Sequence, residues 1–140
     1  MNWEDYGIAE DRGVNNTTIK MVEEKLQIKF PPLYLDLVTF CKEPMPEFAN
    51  FAYDNEETAI SEFFEFSPDV RPYTVAWYAR PNAIQGLPKN ILPIARDAGD
   101  YLICFNYNTP NYEICIYDST ERVLKHVADN FDEFVRLWHE

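Results

Sequence analysis

The stretch Leu92-Pro93-Ile94-Ala95-Arg96-Asp97-Ala98-Gly99-Asp100-Tyr101-Leu102-Ile103-Cys104-Phe105-Asn106-Tyr107 constrains the fold more than any other part of the chain. A proline stands near its start, Asp/Ala/Gly/Asp marks a turn, and a run of aromatic and β-branched residues follows. This pattern predicts the turn and first strand of a central antiparallel sheet. Gly99 is the residue expected to give that turn its positive φ. Alternation places Tyr101, Ile103, Phe105 and Tyr107 on one face, and Leu102, Cys104 and Asn106 on the other.

The next turn signal, Asn108-Thr109-Pro110-Asn111, leads into a second strand, Tyr112 to Tyr117. If Tyr107 pairs with Tyr112, Phe105 faces Ile114, Ile103 faces Ile116, and Cys104 lies opposite Cys115. That register sorts the most apolar residues onto one face and Asn106 with Glu113 onto the other, as a specified register should. After Asp118-Ser119-Thr120-Glu121, the segment Arg122 to Val127 reads as a third strand.

Helices flank this sheet. Asn15-Asn16-Thr17-Thr18 offers N-cap candidates for a helix that puts Ile19, Val22 and Leu26 on one stripe. The helix must stop before Phe30-Pro31-Pro32, because proline disfavours the α region in its predecessor. Pro32 then suits the first turn of a second helix running from Leu33 to Cys41. Its apolar stripe is Leu33, Leu37, Phe40 and Cys41, widened by Tyr34 and Val38. Asn130-Phe131-Asp132-Glu133 has capping-box spacing, and Phe131, Phe134, Val135 and Trp138 follow at helical intervals. Residues 47–86 are less legible. A strand is expected near Phe64 and Phe66, and a short helix over 73–79. Residues 1–15, broken by Gly7 and Gly13, read as a weakly ordered lead-in. The expected fold is α+β: two N-terminal helices, a central antiparallel meander, and a C-terminal helix packed on the sheet.

A chain of 140 residues suits one domain, long enough to bury about 68–70% of its unfolded surface without metals or disulfides. Three cysteines at long spacing form no CxxC pair, so neither a zinc cage nor a dithiol redox site is indicated. The acidic start lacks the apolar run of a signal peptide, and no stretch approaches the ~18 apolar residues of a membrane span. Cytoplasm is the expected location. With 24 acidic against 12 basic residues, the formal charge is −12, which argues against nucleic acid or an anionic membrane as ligand.

No phosphate-binding glycine motif and no nucleophile elbow occurs. Cys104 or Cys115 with His126 and Asp100 would be a conceivable nucleophilic set across adjacent strands. A buried thiol without a cationic neighbour is a poor nucleophile, so buried packing is the preferred reading. Asp97 and Asp100 flank a glycine, where Asx turn chemistry is preferred over a cation site. No catalytic residue, metal or cofactor is expected. The acidic run Glu56, Glu57, Glu62, Glu65 and Asp69 lies in a segment, 47–69, that holds no Lys or Arg. It is the candidate partner-binding set, set against the plainer reading of a solvated acidic face.

The order of motifs resembles the SUKH superfamily, which joins fungal cell-wall-assembly regulators with bacterial toxin-immunity proteins. The resemblance spans about residues 17 to 138. It rests on Val22-Glu23 and Leu26 followed by Ile28-Lys29-Phe30-Pro31-Pro32-Leu33-Tyr34. It continues through Leu87-Pro88, Leu92-Pro93-Ile94-Ala95-Arg96-Asp97, Gly99-Asp100-Tyr101 and Cys104-Phe105-Asn106-Tyr107, and closes on Val127 to Phe134. Asn106 departs from the Asp that relatives carry there, and Lys42 to Pro46 replaces an Asn-Gly turn. The resemblance implies a non-enzymatic protein that neutralises a cognate toxin domain, with a basic nucleic-acid-acting enzyme as the expected partner. The alternative it leaves is a regulatory or scaffold module without a toxin partner.

Overall fold

A computed structural model describes residues 1–140. The elements in chain order are α1 (Asn16–Leu26), α2 (Pro32–Phe40), β1 (Asn50–Tyr53), β2 (Glu56–Phe63), α3 (Val75–Tyr78), β3 (Ile91–Asp97), β4 (Leu102–Asn106), β5 (Glu113–Asp118), β6 (Val123–Ala128) and α4 (Phe131–Leu137). The six strands form one antiparallel meander in sequence order. The α+β architecture is the expected one, with six strands where the sequence predicts a three-stranded meander and one further strand near Phe64 and Phe66.

The central register is as read from the sequence: Phe105 opposes Ile114, Ile103 opposes Ile116, and Cys104 opposes Cys115. The helix starts follow their caps. Asn15 Oδ1 accepts the Thr18 N–H at 2.9 Å, Pro32 occupies the first turn of α2, and Asn130 Oδ1 accepts the Glu133 N–H at 2.8 Å. Each Asn cap satisfies a helix N–H that has no partner within its own helix, and Pro32 has no N–H to satisfy.

The Leu92–Tyr107 stretch is a whole hairpin. Ile91–Asp97 is itself a strand, placed between β2 and β4. Pro93 obscured it in sequence, since proline breaks a ladder. Here a register shift between Pro93 and Ala95 accommodates it, the kind of irregularity to which strand prolines are confined. The positive φ in the following turn belongs to Asp100, at 66°, and not to Gly99.

Asp97 holds that turn. Its carboxylate is 3% exposed and accepts the Gly99 N–H at 2.9 Å, the Tyr101 N–H at 2.8 Å and the Thr58 hydroxyl at 3.0 Å. One side chain therefore ties β2, β3 and the start of β4 together. The Asx-turn reading of Asp97 is what the structure contains.

The β1–β2 hairpin is absent from the sequence reading. Its two-residue loop, Asp54-Asn55, has both φ values positive, at 48° and 62°. Asx residues tolerate this left-handed pair, which matches the twist of the flanking strands. β2 ends at Phe63, before the strand expected around Phe64 and Phe66. The chain bends there: Phe63 and Phe66 join the helices, while Phe64 stacks on Tyr78 at 4.0 Å on the other side. Residues 1–15 also depart from the expected loose lead-in. Trp3 and Ile8 are buried, and the Trp3 indole N–H donates to Asp36 at 2.9 Å.

The sheet curls around α4, so that Lys125 of β6 reaches Asp54 in the β1–β2 turn at 3.0 Å. On the concave face, Tyr34 meets Phe105 at 5.2 Å and Phe131 at 5.5 Å, while Phe134 meets Phe51 at 5.1 Å. These edge-on pairs follow from the ring quadrupole. The opposite face carries Cys104, Cys115 and Tyr117, and the Tyr117 hydroxyl donates to the Gln85 carbonyl at 3.0 Å. Covering on both faces explains why β3, β4 and β5 are apolar almost throughout.

Two consequences can be measured. Removing the Asp97 carboxylate (Asp97→Ala) leaves two turn amides and Thr58 without their charged acceptor, and should cost about 2–3 kcal/mol in urea unfolding. The Tyr34 hydroxyl is buried with no partner, and burial holds its phenol well above the ordinary range. A folded-state pKa raised above the unfolded value contributes stability that is complete below about pH 10 and lost as pH rises further, near 1.4 kcal/mol per pH unit. Tyr34→Phe keeps the ring contacts and removes the unpaired hydroxyl. Its urea midpoint should equal or exceed that of the parent at pH 7, and fall less steeply above pH 10.

Candidate partner-binding site

An antiparallel meander alternates its turns between two ends of the sheet. The β1–β2, β3–β4 and β5–β6 turns therefore share one end, although they are far apart in sequence. That end gathers Asp54, Glu56 and Glu57 from the first turn, Asp100 from the second, and Asp118 and Glu121 from the third. Between the first and third turns lies a small cleft of about 160 Å³, lined by Tyr53, Glu56, Tyr101, Asp118, Glu121 and Lys125 among others.

The charges around the cleft are only partly compensated. Lys125 is held by Asp54, a bond that raises its ammonium pKa. Glu57 meets His139 Nε2 at 3.0 Å, and Asp100 meets the Arg96 guanidinium at 2.5 Å. Glu56, Asp118 and Glu121 form no ion pair. Burial, then the neighbouring Glu56 and Asp97 carboxylates, push the Tyr53 phenol up to about 12. A hydrogen bond to Asp118 raises the Tyr101 phenol in the same direction. Both phenols remain neutral donors beside the carboxylates. The Tyr53 hydroxyl lies 3.4 Å from Glu56, and Asp118 also accepts the Thr120 and Glu121 amides of its own turn, so the carboxylates lack ion-pair partners but keep local hydrogen-bond donors.

The structure divides the five acidic residues singled out in sequence. Glu56 and Glu57 lie at the turn end. Glu62 accepts from Arg96 Nε at 2.9 Å, and Glu65 from Arg71 at 2.7 Å. Asp69 is exposed, with its carboxylate 3.9 Å from Arg71. The cations come from outside the 47–69 segment, so they were invisible in a local charge count. Conversely, Asp118 and Glu121 join Glu56 through topology alone. The signal that finds them is the acidic composition of alternate turns in a meander.

The nucleophile reading fares differently. Cys41, Cys104 and Cys115 are all reduced and buried, and burial raises the Cys104 thiol well above its ordinary pKa. His126 is half exposed, with Nδ1 on Glu113 and Nε2 3.3 Å from Asp129. No group of three or more His, Cys, Asp and Glu side chains is arranged to hold a metal ion. No helix is long and apolar enough to cross a membrane.

A curled antiparallel meander closed by a terminal helix defines the class as an α+β domain. The chain belongs to the SMI1/KNR4 family (SUKH-1), whose family model matches residues 13–137. No curated protein matches it.

Thiol accessibility tests the buried-cysteine geometry. None of the three cysteines should react with a chromogenic disulfide reagent within minutes at pH 8 in the native protein, and all three should react in denaturant.

Proposed function

We propose that this chain is an immunity protein that binds a cognate toxin domain and neutralises it by occluding its site. Membership of a SUKH family supports a protein-interaction role, and that superfamily includes immunity proteins. The observation that carries the choice of face is the cleft at the turn end, where Glu56, Asp118 and Glu121 stand without ion-pair partners. A basic, nucleic-acid-acting toxin fits such a face. Opposite potentials steer the two surfaces together and raise the association rate more than the final affinity.

In this reading the protein acts by contact and not by catalysis, inside the cell that must survive the toxin. Glu56 and Glu57 belong to the contact directly. Glu62 borders it from further along β2, where Arg96 reduces its charge, whereas Glu65 and Asp69, each beside Arg71, lie past the end of β2 toward the opposite end of the sheet and outside this contact.

The test is co-expression with the product of the gene immediately upstream. Rescue from toxicity and a 1:1 complex that weakens with salt are expected. Reversing three exposed carboxylates together (Glu56→Lys, Glu57→Lys and Glu121→Lys) should slow association by about 10–100-fold at low salt and flatten its salt dependence. Absence of both rescue and complex removes the proposal and favours a scaffold module without a toxin partner. Rescue that is indifferent to the charge reversal places the contact on another face.

A further inference from the structure

The opposite end of the sheet carries an open cleft of the reverse charge. It lies between the last turn of α1, the segment around α3, and the start of β3, with a volume of about 330 Å³ and eight apolar residues among the eleven that line it. Leu26, Ile28, Ile91 and Leu92 contribute to this lining. Its only charged residues are Lys25 and Arg80. Neither is engaged in an ion pair. In a chain with 24 acidic and 12 basic residues, a lining with two cations and no carboxylate runs against composition.

The cationic rim is positioned. The Arg80 guanidinium lies 4.2 Å from the centre of the Trp77 ring, and its Nε donates to the Trp77 carbonyl at 2.9 Å. This leaves the terminal N–H groups available in a fixed plane, the geometry that suits a carboxylate. Val70, which lines the cleft, is 49% exposed, and Tyr73, three residues further along the same loop, is 56% exposed. Tyr73 has φ of 68°, a costly conformation for an aromatic residue. Its carbonyl accepts the Glu65 N–H at 2.9 Å, which fixes the loop that presents Val70 to the cleft.

We propose that this cleft docks a segment of a partner protein that places an apolar side chain next to a carboxylate. The apolar group rests on Leu26, Ile28, Ile91 and Leu92, and the carboxylate is held by Lys25 and Arg80. The size lies at the lower end of the ~300–1,000 Å³ typical of ligand sites, which suits one or two side chains and not a broad surface. Two cations over an apolar floor are too few for a polyanion. Long-range repulsion does not forbid the acidic segment. β3 alone separates this cleft from the turn-end carboxylates by about 20 Å, more than twice the ~8 Å screening length at physiological salt, and the nearer Asp69 carboxylate lies 3.9 Å from Arg71. This inference is independent of the toxin reading, which concerns the other end of the sheet.

The test uses the full chain, labelled with ¹⁵N, and the probe peptide acetyl-Ser-Glu-Leu-Phe-Glu-Ser-amide, with counterparts carrying Gln or Lys for Glu. The acidic peptide should shift the backbone amides of Leu26, Ile28, Ala79 and Ile91, and bind about 10-fold more tightly than the Gln form. The Lys form should give no shifts. Lys25 and Arg80 are exposed, so the double variant Lys25→Glu/Arg80→Glu should keep the parent's thermal unfolding and circular dichroism while reversing the charge preference. Reversing Glu56, Glu57 and Glu121 should leave peptide binding unchanged. Equal binding of all three peptides, shifts confined to other surfaces, or no binding by millimolar peptide would overturn the proposal. So would sedimentation showing self-association that the double variant abolishes, because the occupant would then be a second copy of this chain.

Discussion

The buried carboxylate of Asp97 is the interaction on which the sheet depends. It accepts from two backbone amides of the β3–β4 turn and from Thr58 on β2, so a single residue fixes the hairpin and its neighbour in register. A buried charge is costly unless its lone pairs are occupied, and here three donors occupy them. Everything placed by alternation then follows. Phe105 and Ile114 face the helices, while Cys104 and Cys115 face the opposite layer. A slip of one residue would exchange the two faces and expose the aromatic core.

Fixing a meander also fixes where its turns go. Acidic residues scattered over positions 54–121 converge because alternate turns share an end, and the cation-rimmed cleft is built from elements at the other. The two ends therefore differ in what they can recognise. One presents carboxylates without ion-pair partners beside neutral phenols, and the other presents two cations around an apolar floor. A single overall charge of −12 describes neither.

The sequence was most legible where local chemistry and tertiary environment agree. The helix caps at Asn15 and Asn130, the proline start of α2 and the β4–β5 register all obey rules that require no distant partner. Three features were hidden. Pro93 marks the entry of the stretch and masks the strand Ile91–Asp97, which a register irregularity beside it accommodates. Asp54-Asn55 is a sound two-residue hairpin loop, but it sits in an acidic run that draws attention to charge. Trp3 and Ile8 flank a glycine-broken segment, and only their burial against distant elements marks them as core. The candidate site was legible by half. Glu56 and Glu57 could be read from sequence, whereas the pairing of Glu62 with Arg96 spans 34 positions and the convergence of Asp118 and Glu121 on Glu56 is topological.

The placement of α4 has a consequence for the chain during its synthesis. The strands that curl around this helix emerge from the ribosome before it does, because all six precede Phe131. Until residues 131–138 are available, Phe51 lacks its Phe134 partner and Phe105 can close only on Phe30 and Tyr34, so the part of the inner surface that α4 covers stays exposed. A nascent or prematurely terminated chain is thus an open shell, and the last helix is its stopper.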